Sequence, residues 1–286
     1  MADVRGVNDG GTIQDWVASI PMCTKFMVLG TFSMTALSTM GILSPYYLNW
    51  SWDDISQRFH VQRLVLSHLY AGSFSFNFAM HLYMLYDFCK RYEANPFNTG
   101  ARGTSADFLW MIILGMTILN AMNFFMDYPF LSEQILFYIL YVWSRREADS
   151  PVKMFGFGPF KAMYLPLVYM GIRLLMGGSI VGMVMGAVAG HVYFFSFEVL
   201  PREYPQLNVS FLATPSFCIR FTEYFTGMTV PRNAPPPGTA AAAGQRNEAR
   251  AAAAAAGGRA VGMGGNLGGA QGNGYQWGRG RVLGTN

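Results

Sequence analysis

The sequence predicts an all-α membrane protein: a bundle of six transmembrane helices followed by a disordered, polar tail. Three observations carry this. Charged residues make up 13% of the chain, about half of the roughly 25% that a soluble domain carries, so much of the surface faces something other than water. Those charges are gathered in short clusters between long uncharged apolar stretches, the pattern that lipid imposes. From residue 231 the composition changes to Pro235-Pro236-Pro237, two alanine runs and many glycines, which bury too little apolar surface to fold.

The spans follow in order. Residues 26–43 are apolar apart from Ser and Thr, which a helix satisfies internally. Residues 1–24 hold Asp3, Asp9 and Asp15 and no apolar core of signal-peptide length, so the first span is expected to serve as an uncleaved signal anchor. Just before it, the segment from Asp15 through Trp16 to Pro21 is short and amphipathic and suits the headgroup level. Ser44-Pro45 ends the span. Residues 44–63 then form a loop in which Trp50 and Trp52 stand beside Asp53, Asp54, Arg58 and Arg63, the mark of an interfacial loop.

The second span is expected at 64–88, the third at 108–126, and a tight turn at Asp127-Tyr128-Pro129 separates it from the fourth at 131–143. The fourth is short for a bilayer crossing, which takes about 17 residues or more; it should lie among other helices or meet a thinned bilayer. Residues 144–161 read as a polar loop with two glycines and two prolines. The fifth span is expected at 162–176, with Pro166 and Arg173, and the sixth at 180–199, rich in glycine, with Gly177-Gly178 turning the chain between them. Residues 1–230 thus form one transmembrane domain and 231–286 a tail.

Six spans place both termini on one side, and the basic residues choose it. Arg5, Lys25, Lys90, Arg91, Arg102, Arg145, Arg146, Lys153, Lys161, Arg202 and Arg220 share the side of the termini; the other side has Arg58 and Arg63, with Arg173 inside the fifth span. Both termini are therefore expected in the cytosol. Of the two glycosylation sequons, at Asn49 and Asn208, only Asn49 is then lumenal.

The three cysteines, Cys23, Cys89 and Cys218, lie far apart and show neither a disulfide framework nor a Cys-x-x-Cys spacing, so they read as small apolar residues. The modest basic balance is spread between apolar runs, which argues against nucleic acid. His68 and His81 have no carboxylate or cysteine at ligand spacing, so no metal or other cofactor is implied. Asn77 and His81 stand one helical turn apart, placed for an interhelical polar contact, and His60 reads as a solvated loop residue.

Gly178, Gly182, Gly186 and Gly190 repeat every four residues in the sixth span, so one face of that helix admits a close neighbour. His191 follows directly, and a histidine inside a membrane span is expensive. Six spans with a histidine on a glycine-rich last helix resemble the rhomboid intramembrane proteases, where a serine in Gly-x-Ser-Gly on the fourth span pairs with that histidine. The fourth span offers only Ser132, between Leu131 and Glu133, and Ser144 at its far end, neither in a glycine setting. His191 therefore reads as a packed, hydrogen-bonded residue and the chain as a non-enzyme. An active intramembrane protease remains the alternative function, with a channel or transporter as a third; that third class shows paired inverted repeats or a charged lining, and neither is visible.

At the end of the tail, Trp277-Gly278-Arg279-Gly280-Arg281-Val282-Leu283-Gly284 places two large apolar groups in bland Gly/Arg sequence. Such an extended segment can add to a sheet edge and set its side chains in pockets.

Several of these stretches occur together in one family. Asp15-Trp16 with Ser19-Ile20-Pro21, Leu43-Ser44-Pro45 with Tyr47-Leu48, Leu140-Tyr141-Val142-Trp143, Phe160-Lys161-Ala162 with Tyr164-Leu165-Pro166, Gly190-His191 with Tyr193-Phe194-Phe195, and Phe211-Leu212 with Thr214-Pro215 and Phe217 resemble derlin motifs, in the same order from residue 15 to about 220. The likeness is to the derlin-one type in particular. The resemblance implies a rhomboid-like six-helix fold without protease activity, residence in the endoplasmic reticulum (ER) membrane, and a part in moving misfolded proteins to the cytosol for degradation. It implies as partners a membrane ubiquitin ligase complex, the misfolded clients, and the hexameric AAA+ unfoldase valosin-containing protein. The tail box is similar to the family's ATPase-binding box, with Trp277, Gly278, Gly280 and Leu283 in its key places. This chain has no phosphate-binding Gly-x-x-x-x-Gly-Lys-[Ser/Thr] loop of its own. It departs from the family in the first lumenal loop, where the Trp-Arg pair reads Gln62-Arg63.

Overall fold

Pro21 stands as the N-cap of the first helix, α1 (Met22–Thr39), with an extended backbone and no side-chain acceptor for the free N–H groups. Glu93, distant in sequence, supplies them: its carboxylate accepts from the Cys23 N–H at 2.9 Å, the Thr24 N–H at 2.7 Å and the Thr24 hydroxyl at 2.6 Å. Gly41 ends α1 at φ +74, a left-handed turn that glycine adopts without strain. The computed structural model describes residues 17, 19–154, 157–175, 179–203 and 213–227, all within the unit Met1–Ala242.

After α1 come a 3-10 turn at Pro45–Tyr47 and two short helices, α2 (Trp52–Arg58) and α3 (Arg63–Leu66). The expected second span, 64–88, is corrected here. Its helix, α4, runs Phe76–Ala94, and Ser75 caps it by accepting from the Phe78 N–H at 3.2 Å. Residues 67–75 are not helical; Gly72 sits at φ +87. Leu64 and Ser67 give their carbonyls instead to Asn120 Nδ2 at 3.1 Å and the Leu131 N–H at 2.8 Å, so these apolar residues cover one end of the bundle rather than extending a helix.

α5 (Ser105–Met126) stops at Asp127, which takes φ +53, and Asn123 seals the turn by bonding both the carbonyl and the N–H of Tyr128 at 2.9 Å. α6 (Ser132–Arg146) is about 22 Å long at 1.5 Å per residue, short of the roughly 30 Å hydrocarbon core. It is also the most enclosed helix: Leu136, Phe137, Tyr138, Ile139, Leu140 and Val142 are fully buried. The enclosure by neighbouring helices expected for this segment is present. The loop expected at 144–161 contains an antiparallel hairpin, β1 (Pro151–Met154) with β2 (Phe157–Lys161), and an exposed Lys161–Asp149 ion pair at 2.8 Å beside it.

A 3-10 turn at Ala162–Tyr164 leads into α7 (Leu165–Leu175), of which only Leu165 and Pro166 are buried. α8 (Val181–Phe194) continues through a π-helical turn at Phe195–Val199 into α9 (Leu200–Glu203). α10 (Ser216–Thr226) ends at Gly227, φ +67. The largest helix–helix interface joins α6 and α8. Ser105–Met126 and Val181–Val199 are long and apolar enough to cross a membrane.

Candidate functional site

The loop after α1 is built around a buried guanidinium. Arg63 is 1% exposed, a state a charge tolerates only when paired and bonded. One nitrogen of its fork meets Asp54 Oδ2 at 3.0 Å. The other donates to the Asn49 carbonyl at 3.0 Å and to the Asn49 side-chain oxygen. The Tyr46 ring lies under it, 5.1 Å away. Arg58, one turn after Asp54 on α2, adds a second cation at 3.3 Å. Five planar donors suit Arg for this, and a lysine could not span Asp54 and Asn49 together.

This loop is clasped to the bundle. The Trp50 N–H donates to the Pro129 carbonyl at 2.7 Å, and its indole N–H to Asn120 Oδ1 at 3.0 Å. Trp52 stacks on Trp50 and meets Phe124 edge-on. Gln62, beside Arg63 at the start of α3, is exposed. The loop's inward anchoring therefore comes from Trp50, while Trp52 joins Tyr46, Tyr47 and Phe59 as exposed aromatics at its surface.

His191 lies on α8 with an exposed side chain, its Nδ1 2.9 Å from the Tyr141 hydroxyl of α6; the hydrogen bond expected of it is present, the packing is not. The Ser144 hydroxyl donates to the Tyr141 carbonyl at 2.8 Å, and Ser132 is buried at the opposite end of α6. The hydrogen-bond partner of the imidazole is thus a phenol, not the serine that a protease dyad needs. The glycines beside it meet α6 at backbone distance. A Cβ on Gly186 would overlap the Gln134 carbonyl oxygen and the Phe137 Cβ; one on Gly190 would stand 3.0 Å from the Tyr141 Cβ; one on Gly182 would stand 2.9 Å from Gln134 Nε2. Gly178 lies outside the described residues, as do Trp277, Gly278, Gly280 and Leu283 of the tail box.

Two further arrangements were not read from the sequence. Near the Arg63 end of α6, Glu133 pairs with Arg173 of α7 at 3.1 Å, tying down the far end of that mostly unburied helix. At the opposite end of the bundle Asp107 gathers a loop and a distant segment. It accepts from the Thr99 hydroxyl at 2.8 Å, the N–H groups of Ala101 and Gly103 at 3.0 and 2.7 Å, and the Thr214 hydroxyl at 2.5 Å. Thr214 also donates its N–H to the Thr99 carbonyl at 2.9 Å. The chain beyond the last long helix is thereby stitched back beneath α5. Only the charge of Asp107 beside an apolar run was visible in advance; its partners lie up to 107 residues away.

Cys23, Cys89 and Cys218 are free and buried. His68 and His81 are buried too, and among the described residues no three His, Cys, Asp or Glu side chains converge as a metal site.

The family model described as the Der1-like family matches residues 20–216. The chain is 32% identical to Derlin-2.1 of Zea mays over 216 residues, covering 72% of this chain and 84% of that protein. It is 32% identical to Derlin-1 of Homo sapiens over 213 residues, covering 73% and 82%, and 31% identical to Derlin-2.2 of Arabidopsis thaliana, covering 72% and 86%. Identity is the same to the two types, so it does not single out the derlin-one type.

Proposed function

This chain belongs to the Der1-like family, and from that premise we propose that it is a non-proteolytic component of ER-associated degradation, aiding the retrotranslocation of misfolded proteins to the cytosol. The match over residues 20–216 carries the reading. In it, the chain spans the ER membrane six times with both termini cytosolic, and the Arg63 loop lies on the lumenal side. The enclosed α6 removes one helix from lipid contact. The remaining helices then frame a short path in which polar groups such as Glu133 and Arg173 are shielded from hydrocarbon. The tail, through Trp277, Gly278, Gly280 and Leu283, tethers the AAA+ unfoldase valosin-containing protein at the exit and raises its local concentration. ATP hydrolysis by that partner supplies the force.

The pairing of His191 with a tyrosine hydroxyl supports the non-enzymatic part. The test is the half-life of a misfolded ER client in cells whose own derlins are depleted. The chain is expected to restore degradation, and a fluorophosphonate probe to label no serine in it. Failure to restore turnover, or labelling of Ser132 or Ser144, would count against the reading.

A further inference from the structure

α10 closes the described part of the chain with a face that none of the described residues buries. Its inner side is held: Cys218 and Thr222, one turn apart, are buried against the bundle. Phe217, Phe221, Tyr224 and Phe225 form an adjoining arc at about 100° per residue, and all are exposed, Tyr224 by 84%. Ser216, Arg220, Glu223 and Thr226, with the half-buried Ile219 among them, occupy the remaining arc. The helix is therefore divided into three strips: protein-facing, aromatic and polar.

The aromatic strip does not stand alone. The Phe225 ring meets Phe26 edge-on at 5.4 Å, Phe221 stands 6.4 Å from the same ring, and Phe217 lies 6.4 Å from Trp110. Phe26 is near the start of α1 and is itself half exposed, as are Leu29 and Phe32 farther along that helix. Trp110 lies in the second turn of α5. The strip thus continues the outward apolar side of α1, at the helix ends where interfacial aromatics collect. The polar strip carries one cation and one anion, Arg220 and Glu223, so the surface has no net charge with which to select an ionic partner.

We propose that the aromatic strip of α10 is a lipid-binding surface. It seats the helix in the boundary between headgroups and acyl chains and pins the end of the folded domain to the membrane. The occupant is the bilayer because the strip merges with the lipid-facing side of α1, and because a polar strip opposite an apolar one is the layout of an interfacial helix. The Asp107–Thr214 clasp fixes the segment just before it, so the helix is presented at a set depth. This rests on the reading of α1 as a membrane span.

The test uses the full-length chain with p-benzoylphenylalanine at one position, reconstituted in phosphatidylcholine vesicles, irradiated and analysed for lipid adducts. Leu29 reports on the span, Tyr224 and Phe225 on the strip, and Ser216 on the polar side. The expected result is adduct at Leu29, Tyr224 and Phe225, about tenfold above Ser216, given an apolar face buried among acyl chains. Adduct at Leu29 without adduct at Tyr224 and Phe225, or cross-links from those two to another protein chain, would overturn the lipid surface and leave the span reading intact. Equal adduct at Ser216 would overturn the oriented seating. No adduct at Leu29 or on the strip would remove both readings.

Discussion

Glu93 caps a helix that begins seventy residues before it, holding Thr24 by its N–H and its hydroxyl through a single carboxylate oxygen. The contact is buried and joins the end of α4 to the start of α1. Losing a helix cap costs about 0.5–2 kcal/mol, and each buried donor left unpaired adds about 1–3 kcal/mol. Glu93→Ala should therefore destabilise the domain by roughly 3 kcal/mol, read as a lower thermal midpoint of the detergent-purified protein. Glu93→Gln keeps an acceptor and should lose less.

The α6–α8 seam predicts a contrast between two glycines. A Cβ at Gly186 meets backbone of α6, which cannot step aside as a flexible side chain would. Gly186→Ala should cost about 1–3 kcal/mol, the usual price of overpacking. Gly171 on α7 has open space around it, so Gly171→Ala should be neutral or stabilising by up to about 1 kcal/mol. Paired unfolding curves decide the matter; equal effects would show that the seam does not depend on close approach.

Arg63 and Gln62 should also part company. Removing the cation leaves buried Asp54 with only the exposed Arg58 as an ionic partner, so the cost should approach but not reach the roughly 3–5 kcal/mol of a fully broken buried pair. Arg63→Ala is expected to loosen the whole first loop, seen as rapid amide exchange at Trp50 and Asn49. Gln62 is exposed, so Gln62→Trp, which restores the family's residue, should leave stability unchanged.

Much of this fold was legible as apolar runs and their breaks. The turn at Asp127-Tyr128-Pro129 and the short fourth span were plain because a proline and a run of Leu, Ile and Phe state them locally. The start of the second long helix was not. Residues 64–70 are as apolar as a span, and only their carbonyl partners on Asn120 and Leu131 show that they fold across the bundle end. The hairpin at Pro151–Lys161 was hidden because glycines and prolines suit a loop equally. Arg63 could be singled out by resemblance, but its burial could not, since Asp54 and Asn49 reach it through the turn at Phe59. Glu93, Asp107 and the Glu133–Arg173 pair are relations between distant segments, and no local pattern encodes them.

The hairpin offers a pH test outside the membrane spans. The Lys161 ammonium bonded to Asp149 holds the Asp149 carboxyl below its ordinary value and raises Lys161 in turn. A carboxylate depressed in the folded state stabilises above its unfolded pKa and loses that stabilisation as pH falls through the folded one. For Lys161 the sense is reversed, with loss as pH rises through its raised value. The pair should hold from mildly acidic to alkaline pH. A carboxyl NMR titration of Asp149 should show a lowered midpoint that returns to normal in Lys161→Gln.

The central claim is that this derlin-family chain delivers a membrane-embedded domain and an ATPase to the same place. The most direct measurement is recovery of valosin-containing protein with the chain from detergent-solubilised membranes, with and without residues 275–286. The account predicts recovery with the full chain, its loss on truncation, and a drop of about tenfold or more for Trp277→Ala or Leu283→Ala, as for anchors that fill pockets. Equal recovery without residues 275–286 would contradict it.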